Sequence, residues 1–224
     1  MARRPSWRLA AVVLVALIGI SAVAALAGHD DPPDKVRPAA ERFLEAWARS
    51  RTATFRSVSD FTRTSHSTGA VLTDRFIVAQ RPPDRLSIDG DGATGLVDGR
   101  RLACTYRRQQ LACQDAPAGR TYEEDVARQI ETLRDYVTGD DRLYEVAAED
   151  RDDQRGDCFV LTLADDLFAP PLGTRARYCF DPEIGGPTLA ETERLEADDV
   201  TRTVSLEAEV TDAALDPATA LDGG

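Results

Sequence analysis

The spacing of four cysteines, Cys104, Cys113, Cys158 and Cys179, indicates chemistry more directly than any other feature of the chain. None of them forms a C-x-x-C pair, which argues against a zinc ribbon and against a thioredoxin-type redox site. Antiparallel pairing around a predicted hairpin loop at 107–110 places Cys104 opposite Cys113. Antiparallel pairing of the two strands on either side of a Pro-rich loop can likewise place Cys158 opposite Cys179, within reach of a disulfide. The sequence therefore predicts two disulfides, which indicate an oxidising compartment outside the cytoplasm.

Candidate catalytic groups are few. The chain has two histidines, His29 and His66, and a histidine-rich metal site is thereby excluded. His66 lies between Ser65 and Ser67 in a predicted turn, and the chain has no G-x-S-x-G nucleophile elbow. We therefore expect a protein that is not an enzyme and that carries no resident cofactor.

An acidic run that begins at Glu149 invites comparison with a calcium-binding loop. Counted from Asp150, the sixth position is Arg155, where an EF-hand loop needs glycine. The twelfth position is Leu161, where such a loop needs glutamate. We interpret the run as a solvated hairpin turn, and the sequence predicts no metal site.

The charge balance limits the class of partner. The 224 residues include 27 basic and 39 acidic side chains, for a formal net charge of −12. Binding to nucleic acid needs a basic face for the phosphates. Nucleic acid is therefore not an expected partner.

An uncharged apolar run over residues 9–28 follows Arg3, Arg4 and Arg8. At about 1.5 Å per residue the run spans about 30 Å, the thickness of the hydrocarbon core of a membrane. Two interpretations stay open. The run is an uncleaved single-pass anchor with the rest of the chain outside the cytoplasm, or it is a signal peptide cleaved after 25–27, which gives a secreted protein.

Two segments have the apolar periodicity of amphipathic helices. The first carries a stripe made of Val36, Ala39, Ala40, Phe43, Leu44 and Trp47. The second begins at a capping box formed by Thr121 and Glu124, and Gly139 lies where a C-terminal cap belongs.

The remaining chain alternates with a period of two between turn residues, which is typical of β-strands. In the last strand, one face is predicted to hold Val200, Val204, Leu206, Ala208 and Val210. About ten or eleven strands with short connections predict an α+β fold, in which a strongly curved antiparallel sheet, a half-barrel, is covered by helices. The alternation also predicts a solvated opposite face.

The predicted domain organisation follows from these elements. Residues 1–28 form the signal or transmembrane segment, and 29–35 form a polar linker. Residues 36–212 form the extracytoplasmic domain, and 213–224 are a small polar tail that we expect to be disordered.

Two tracts resemble a known superfamily. The tract 178–189 resembles the strand–D-x-x-T-G-x-P–strand hairpin of the LolA/LolB-like lipoprotein-localisation factors, with Ile184 in place of the usual threonine. The tract 79–86 is similar to the x-P-D-R-L strand junction of the same group, and the resemblance extends over 36–212. It implies a periplasmic carrier fold that holds a lipid or lipoprotein between the concave sheet face and the helices, with no catalytic residues.

The resemblance implies a lipid-binding cavity, for which the sequence offers two sets of apolar side chains. The first helix supplies one wall, and the strands supply the other; together the candidates are Phe43, Leu44, Trp47, Phe55, Phe61, Phe76, Val78, Val160, Val204 and Leu206. The same residues are equally suited to a filled core. The predicted function is binding of an acyl chain or a lipoprotein in the cell envelope, and the alternative is a non-catalytic sensor or interaction domain that acts through an envelope protein partner.

Overall fold

The computed structural model describes residues 38–107, 110–149, 156–165 and 167–219. The predicted membrane segment at 1–28, the linker at 29–35 and the last residues of the predicted tail lie outside these described residues. Within the described ranges, no helix is both long and apolar enough to cross a membrane.

The described chain forms two α-helices, eleven β-strands and a C-terminal 3₁₀ helix. In chain order these are α1 (Ala39–Thr52), β1 (Phe55–Ser65), β2 (Val71–Arg81), β3 (Asp84–Ile88), β4 (Gly92–Val97), β5 (Arg100–Arg107), β6 (Gln110–Pro117), α2 (Tyr122–Val137), β7 (Tyr144–Ala148), β8 (Asp157–Leu163), β9 (Arg175–Phe180), β10 (Pro187–Glu193), β11 (Ala197–Glu207) and the 3₁₀ helix (Asp212–Leu215).

The strands form one antiparallel sheet in the order β6-β5-β4-β3-β2-β1-β11-β10-β9-β8-β7. Consecutive strands are adjacent in the sheet, except that β6 and β7 lie at opposite edges. One adjacent pair, β1 and β11, is not consecutive in the chain. That pairing joins two meanders, which we call the first half (β1–β6) and the second half (β7–β11). The sheet is open, with β6 and β7 as its edges, and this confirms the predicted antiparallel sheet with about eleven strands.

The position of α2 shows that the sheet is curved. Near its start, Asp125 pairs with Arg101 of β5, and near its end Val137 belongs to the same buried cluster as Tyr144 of β7. The nine strand spacings between β5 and β7 would cover about 43 Å in a flat sheet. Asp125 and Val137 are separated by only about 18 Å of helix, so the sheet must bend around the helices.

The ends of α2 are set by the residues that the sequence indicated. The Thr121 hydroxyl accepts a hydrogen bond from the backbone N–H of Glu124, and the Glu124 carboxylate accepts one from the backbone N–H of Thr121. Gly139 follows the C-terminal cap with φ +85°, a conformation that glycine adopts without the steric cost of a side chain. The predicted capping box and C-terminal glycine are therefore confirmed.

The two faces of the sheet can be assigned from the register. Residues opposite each other in antiparallel strands share a face. A continuous set of cross-strand partners runs from Phe159 through Tyr178, Ala190 and Thr201 to Phe61. We call their face the inner face, because the aromatic side chains of α1 contact Phe159 and Tyr178 there, and we call the opposite face the outer face.

The inner face of the second half is covered by both helices. Phe43 of α1 is fully buried, and Tyr144 of β7 is equally inaccessible. The buried cluster at this place consists of Phe43, Leu44, Ala46, Leu133, Val137, Tyr144, Phe159, Leu161, Ala176 and Phe180. Because the helices bury this large apolar surface, the second half has its main core on the inner face.

The first half has its main core on the outer face. The 3₁₀ helix Asp212–Leu215 packs there with Ala214 and Leu215 buried, beside outer-face residues of β1 to β5 that include Ile77 and Leu86. The 3₁₀ helix thus belongs to this core, and the outer face is not simply solvated as its alternation predicted. Two apolar residues that cover an otherwise exposed patch are enough to fix this short segment.

A β-bulge corrects the predicted alternation of the last strand. Val204 has no partner in β1, because the register between β1 and β11 shifts at this position. An inserted residue moves all later side chains to the other face. Val200 consequently packs with the outer-face cysteines, whereas Leu206 lies opposite Ser57 on the inner face.

Both predicted disulfides are present. Cys104 on β5 is bonded to Cys113 on β6, and Cys158 on β8 is bonded to Cys179 on β9. In each case the two residues are direct cross-strand partners, with Cα–Cα distances of 3.9 and 4.1 Å. The predicted cross-strand pairing of the four cysteines is therefore confirmed.

Candidate functional site

The predicted cavity residues of α1 lie in a filled core. The Trp47 ring is in edge-to-face contact with the rings of Phe43, Tyr178 and Phe180, at centroid distances of 5.6, 5.2 and 6.0 Å. Leu44 is also buried in this cluster. Burial raises the pKa of Tyr178 above its ordinary value. The sequence is compatible with either an open cavity or a filled core at these residues. In the structure, the space beside α1 is filled by side chains.

Three other predicted cavity residues form a continuous surface on the inner face of the first half. Phe61, Phe76 and Val78 are each only partly buried, and the rings of Phe61 and Phe76 are in contact at 5.4 Å between centroids. Leu72 extends this surface toward the start of β2, beyond Asp74, and is 59% exposed. We call Val78, Phe76, Phe61 and Leu72 the concave stripe.

The remaining predicted cavity residues are not on this surface. Val160 lies opposite Arg177 on the outer face, and Val204 is 55% exposed at the bulge. Phe55 and Leu206 meet at the end of the sheet, where Gly186 lies so close to both that a Cβ atom would collide with them. The predicted cavity residues are therefore divided among a filled core, the concave stripe and three other places: Val160 on the outer face, Val204 at the bulge, and Phe55 with Leu206 beside Gly186.

Polar groups line the inner face beside the stripe. Ser57 and Ser59 are buried, and the Ser59 hydroxyl shares a 3.0 Å hydrogen bond with the Thr203 hydroxyl. Next to the stripe, Gln80 is fully buried and donates from its amide nitrogen to the carbonyls of Ser50 and Ala53 at 2.7 and 2.8 Å. These contacts fasten the end of α1 to β2.

A cationic cleft that the sequence did not predict lies beside Gln80, where the end of α1 meets the first half of the sheet. It has a volume of about 560 Å³, and Arg51, Arg85, Arg101, Tyr122 and Asp125 are among its lining residues. We call it the arginine cleft. Arg51 comes from α1 and Arg85 from β3, and the two share no sequence motif. Only the packing of α1 and α2 on the sheet brings them together.

A second and larger cavity lies at the opposite end of the sheet. It has a volume of about 1030 Å³ and is bounded by the β1–β2 and β10–β11 turns and by the loop before β9. Phe168 at its rim is 91% exposed and Leu195 is 57% exposed. An exposed apolar rim of this kind is typical of a binding surface.

The candidate catalytic histidine is held by other partners. His66 Nε2 lies 3.0 Å from a carboxylate oxygen of Asp198, and its Nδ1 lies 3.3 Å from the Leu195 carbonyl oxygen. The hydrogen bond to Asp198 raises the pKa of His66. Ser65 and Ser67 bond to each other at 3.2 Å, so within the described ranges His66 is paired with Asp198 and Leu195 and not with either neighbouring serine.

The residues that the structure describes contain no group of three or more His, Cys, Asp or Glu side chains that could hold a metal ion. Much of the acidic run that the sequence analysis considered, from 150 to 155, lies outside those residues.

No protein-family model matches the chain, and no curated protein matches it. Among solved structures, a chain from the Pseudomonas aeruginosa MucA/MucB complex is similar at 15% identity and a TM-score of 0.46 and covers 80% of this chain. This chain spans 62% of that one.

Two further structures are similar over nearly their whole length. LprF from Mycobacterium bovis matches at 12% identity and a TM-score of 0.42, covering 77% of this chain and 94% of its own. A LolA superfamily protein from Nitrosomonas europaea matches at 11% identity and a TM-score of 0.33, covering 79% of this chain and 97% of its own.

Proposed function

We propose that this chain binds the acyl chain of a lipid or lipoprotein along the concave stripe, and that it acts as a carrier or binding domain in the cell envelope. The observation that supports the proposal most strongly is the stripe itself. Its four side chains are apolar, although Asp74 and Arg63 lie opposite Phe61 and Leu72 on the same face. The stripe lies inside the curve of the sheet, and it is left partly uncovered by the helices, which pack mainly on β7–β9.

The dimensions of the stripe suit an extended chain. From Val78 to Leu72, β2 advances by six residues, which is about 20 Å of strand. Each buried methylene group contributes about 0.8 kcal/mol. A chain that covers only part of the stripe therefore gains enough free energy for useful affinity.

The binding test uses the full chain in detergent with added hexadecanoic acid, and native mass spectrometry measures the bound fraction. We expect the wild type to carry one acid, and the double substitution Phe61→Ser with Phe76→Ser to lower the bound fraction at least fivefold. Val204→Ser is the matched control, because Val204 is an exposed apolar residue of the neighbouring strand and lies outside the stripe. Circular dichroism of each variant checks that the sheet is retained.

Two outcomes would contradict the proposal. One is the absence of any bound acid in the wild type. The other is an equal loss in the double variant and in Val204→Ser, which would mean that binding does not depend on the stripe.

A second candidate function is supported by the larger cavity. Phe168 and Leu195 are exposed at its rim, as expected for a domain that binds an envelope protein. A photo-reactive amino acid in place of Phe168, in cells, should then give a discrete adduct with one protein. The same residue in place of Thr105, an exposed residue of β5 that lines neither this cavity nor the arginine cleft, should give none. Equal labelling from both positions would contradict this candidate.

A further inference from the structure

We propose that Arg51 and Arg85 bind the anionic head group of the amphiphile, a carboxylate or a phosphate, at the end of the concave stripe. This inference rests on the proposed function of the stripe, and it specifies the class of ligand: an acidic amphiphile rather than a neutral one. It also predicts which end of the ligand lies where.

Neither arginine has an acidic partner within the part of the chain that the structure describes. The Nε atoms of Arg51 and Arg85 are buried, and neither has a hydrogen-bond acceptor among the described residues. A buried cationic group without an acceptor is unfavourable, and charge-assisted hydrogen bonds to an anion are among the strongest that a guanidinium forms. An anion in the cleft would satisfy both side chains at once.

The like charges of the two arginines reinforce this need. Burial, and secondarily the positive charge of Arg51, lower the pKa of Arg85 to about 10. Arg85 therefore remains charged at neutral pH, and among the described residues no carboxylate pairs with it to offset its desolvation and its repulsion from Arg51. A bound carboxylate or phosphate supplies the missing negative charge.

The carboxylates that border the cleft are already neutralised. Asp125 pairs with Arg101 and with Arg120, and these hydrogen bonds hold the pKa of Asp125 below its ordinary value. Asp115 pairs with Arg100, which lowers the pKa of Asp115 in the same way. The cationic surplus of the cleft therefore belongs to Arg51 and Arg85.

Tyr122 holds Arg51 in place. The Tyr122 hydroxyl donates a 2.6 Å hydrogen bond to the Arg51 carbonyl. The Cζ atom of Arg51 lies 5.5 Å from the centroid of the same ring, which is within the range of a cation–π contact. A guanidinium held in this way loses less conformational entropy when it binds an anion.

The strand register brings the cleft close to the stripe on the inner face. Arg85 lies opposite Gln80, which is fully buried beneath the end of α1. Ser87, the next residue of β3 on the same face, lies opposite Val78. An acidic head group at Arg85 would therefore direct its chain past Ser87 and over Val78 toward Phe76. This proximity separates the cleft from an isolated surface anion site.

The experiment compares three ligands of equal chain length on the full chain: hexadecanoic acid, hexadecyl phosphate and hexadecanol. We expect both acidic ligands to bind at least tenfold more tightly than the alcohol. Arg51→Met and Arg85→Met, each tested separately, should remove this preference while binding of the alcohol is retained. Arg75→Met is the matched control, since it removes a cation from the outer face and should leave the preference unchanged.

A parallel arm uses inorganic phosphate without any alkyl chain. Phosphate should raise the Tm of the wild type and of Arg75→Met, and it should not raise the Tm of Arg85→Met. This arm distinguishes free phosphate from a lipid head group, because a free anion as the only ligand would raise the Tm while the three alkyl ligands bind equally or not at all.

The possible failures are distinguishable. Equal binding of all three ligands would overturn the head-group assignment and leave the acyl-chain proposal standing. An acidic preference that persists in both arginine variants would also overturn it. If no alkyl ligand binds, the proposed function fails, and a phosphate effect lost in Arg85→Met would then support the anion site alone; the absence of that effect would overturn the site as well.

Discussion

The two halves of the sheet bury their main cores on opposite faces. In the second half the helices cover the inner face, and aromatic rings around Phe43 and Trp47 fill the space. In the first half the 3₁₀ helix near the C-terminus covers the outer face with Leu215. The sheet is continuous through β1 and β11, so one sheet serves two cores.

This difference explains why the first half can offer a binding surface. A β-sheet needs to bury only one of its faces to be stable, and the other can face solvent or a ligand. Because Leu215 and its neighbours stabilise the first half from outside, its inner face is not required for the core. The concave stripe and the arginine cleft both lie on that spare face.

The largest expected effect concerns the filled core of the second half. Phe43→Ala should lower the free energy of unfolding by about 3–5 kcal/mol, because it leaves a cavity among packed rings. Urea denaturation followed by circular dichroism measures this loss. Binding of hexadecanoic acid to the folded fraction should be unchanged; a loss below about 1 kcal/mol together with weaker binding would mean that Phe43 lines a ligand cavity instead.

A smaller effect is expected for the outer core of the first half. Leu215→Ala should lower the free energy of unfolding by about 2–3 kcal/mol, since Leu215 is 3% exposed. Leu167→Ala, the same truncation at a side chain that is 44% exposed, is the control and should cost less than about 1 kcal/mol. Equal, small losses in both variants would show that the C-terminal segment does not contribute to the core of the first half.

The smallest expected effect concerns the seam between the halves. On the inner face, the Asp199 carboxylate of β11 accepts hydrogen bonds from Arg63 of β1 and from Arg194 at 2.6 and 2.9 Å. The bond from Arg63, and secondarily that from Arg194, hold the pKa of Asp199 below its ordinary value. Because both arginines are partly exposed, we expect Asp199→Asn to cost only about 1 kcal/mol at neutral pH.

The pH dependence of this effect has a definite sign. A lowered pKa in the folded state stabilises the fold above the unfolded-state pKa of about 4, and the contribution is lost as the pH falls through the folded-state value. The stability difference between wild type and Asp199→Asn should therefore be constant from pH 7 to about 5 and should shrink below about 4. A difference that grows on acidification would contradict the assigned pairing.

The sequence predicts the frame of this molecule well because the frame depends on local periodicity. The antiparallel strands, the capping box at Thr121 and both disulfides follow from spacing alone. The bulge at Val204 cannot be recognised from the sequence, because apolar and polar residues alternate through it without a break. The alternation therefore predicts one face for residues that the bulge places on two. Val160 was assigned to the wrong face for a similar reason, since it lies in the apolar run Cys158–Leu161, which carries no alternation.

Other features depend on contacts between distant parts of the chain. Ala214 and Leu215 are two apolar residues in a polar tail, and no periodicity marks them as buried. Arg51 and Arg85 are single arginines on a helix and on a strand, in a chain with many arginines. Their lack of acidic partners is visible only after α1 and α2 are packed on the sheet, so the arginine cleft could not be predicted from the sequence.

The central claim is that the inner face of the first half, and not the helix-covered face of the second half, receives the acyl chain. The most direct measurement is photo-crosslinking of the full chain with hexadecanoic acid that carries a diazirine, followed by mapping of the labelled residues. The account predicts label at Phe61, Phe76 and Val78, with little at Ile77 on the outer face of the same strand. Label concentrated at Phe159, or equal label at Phe76 and Ile77, would contradict it.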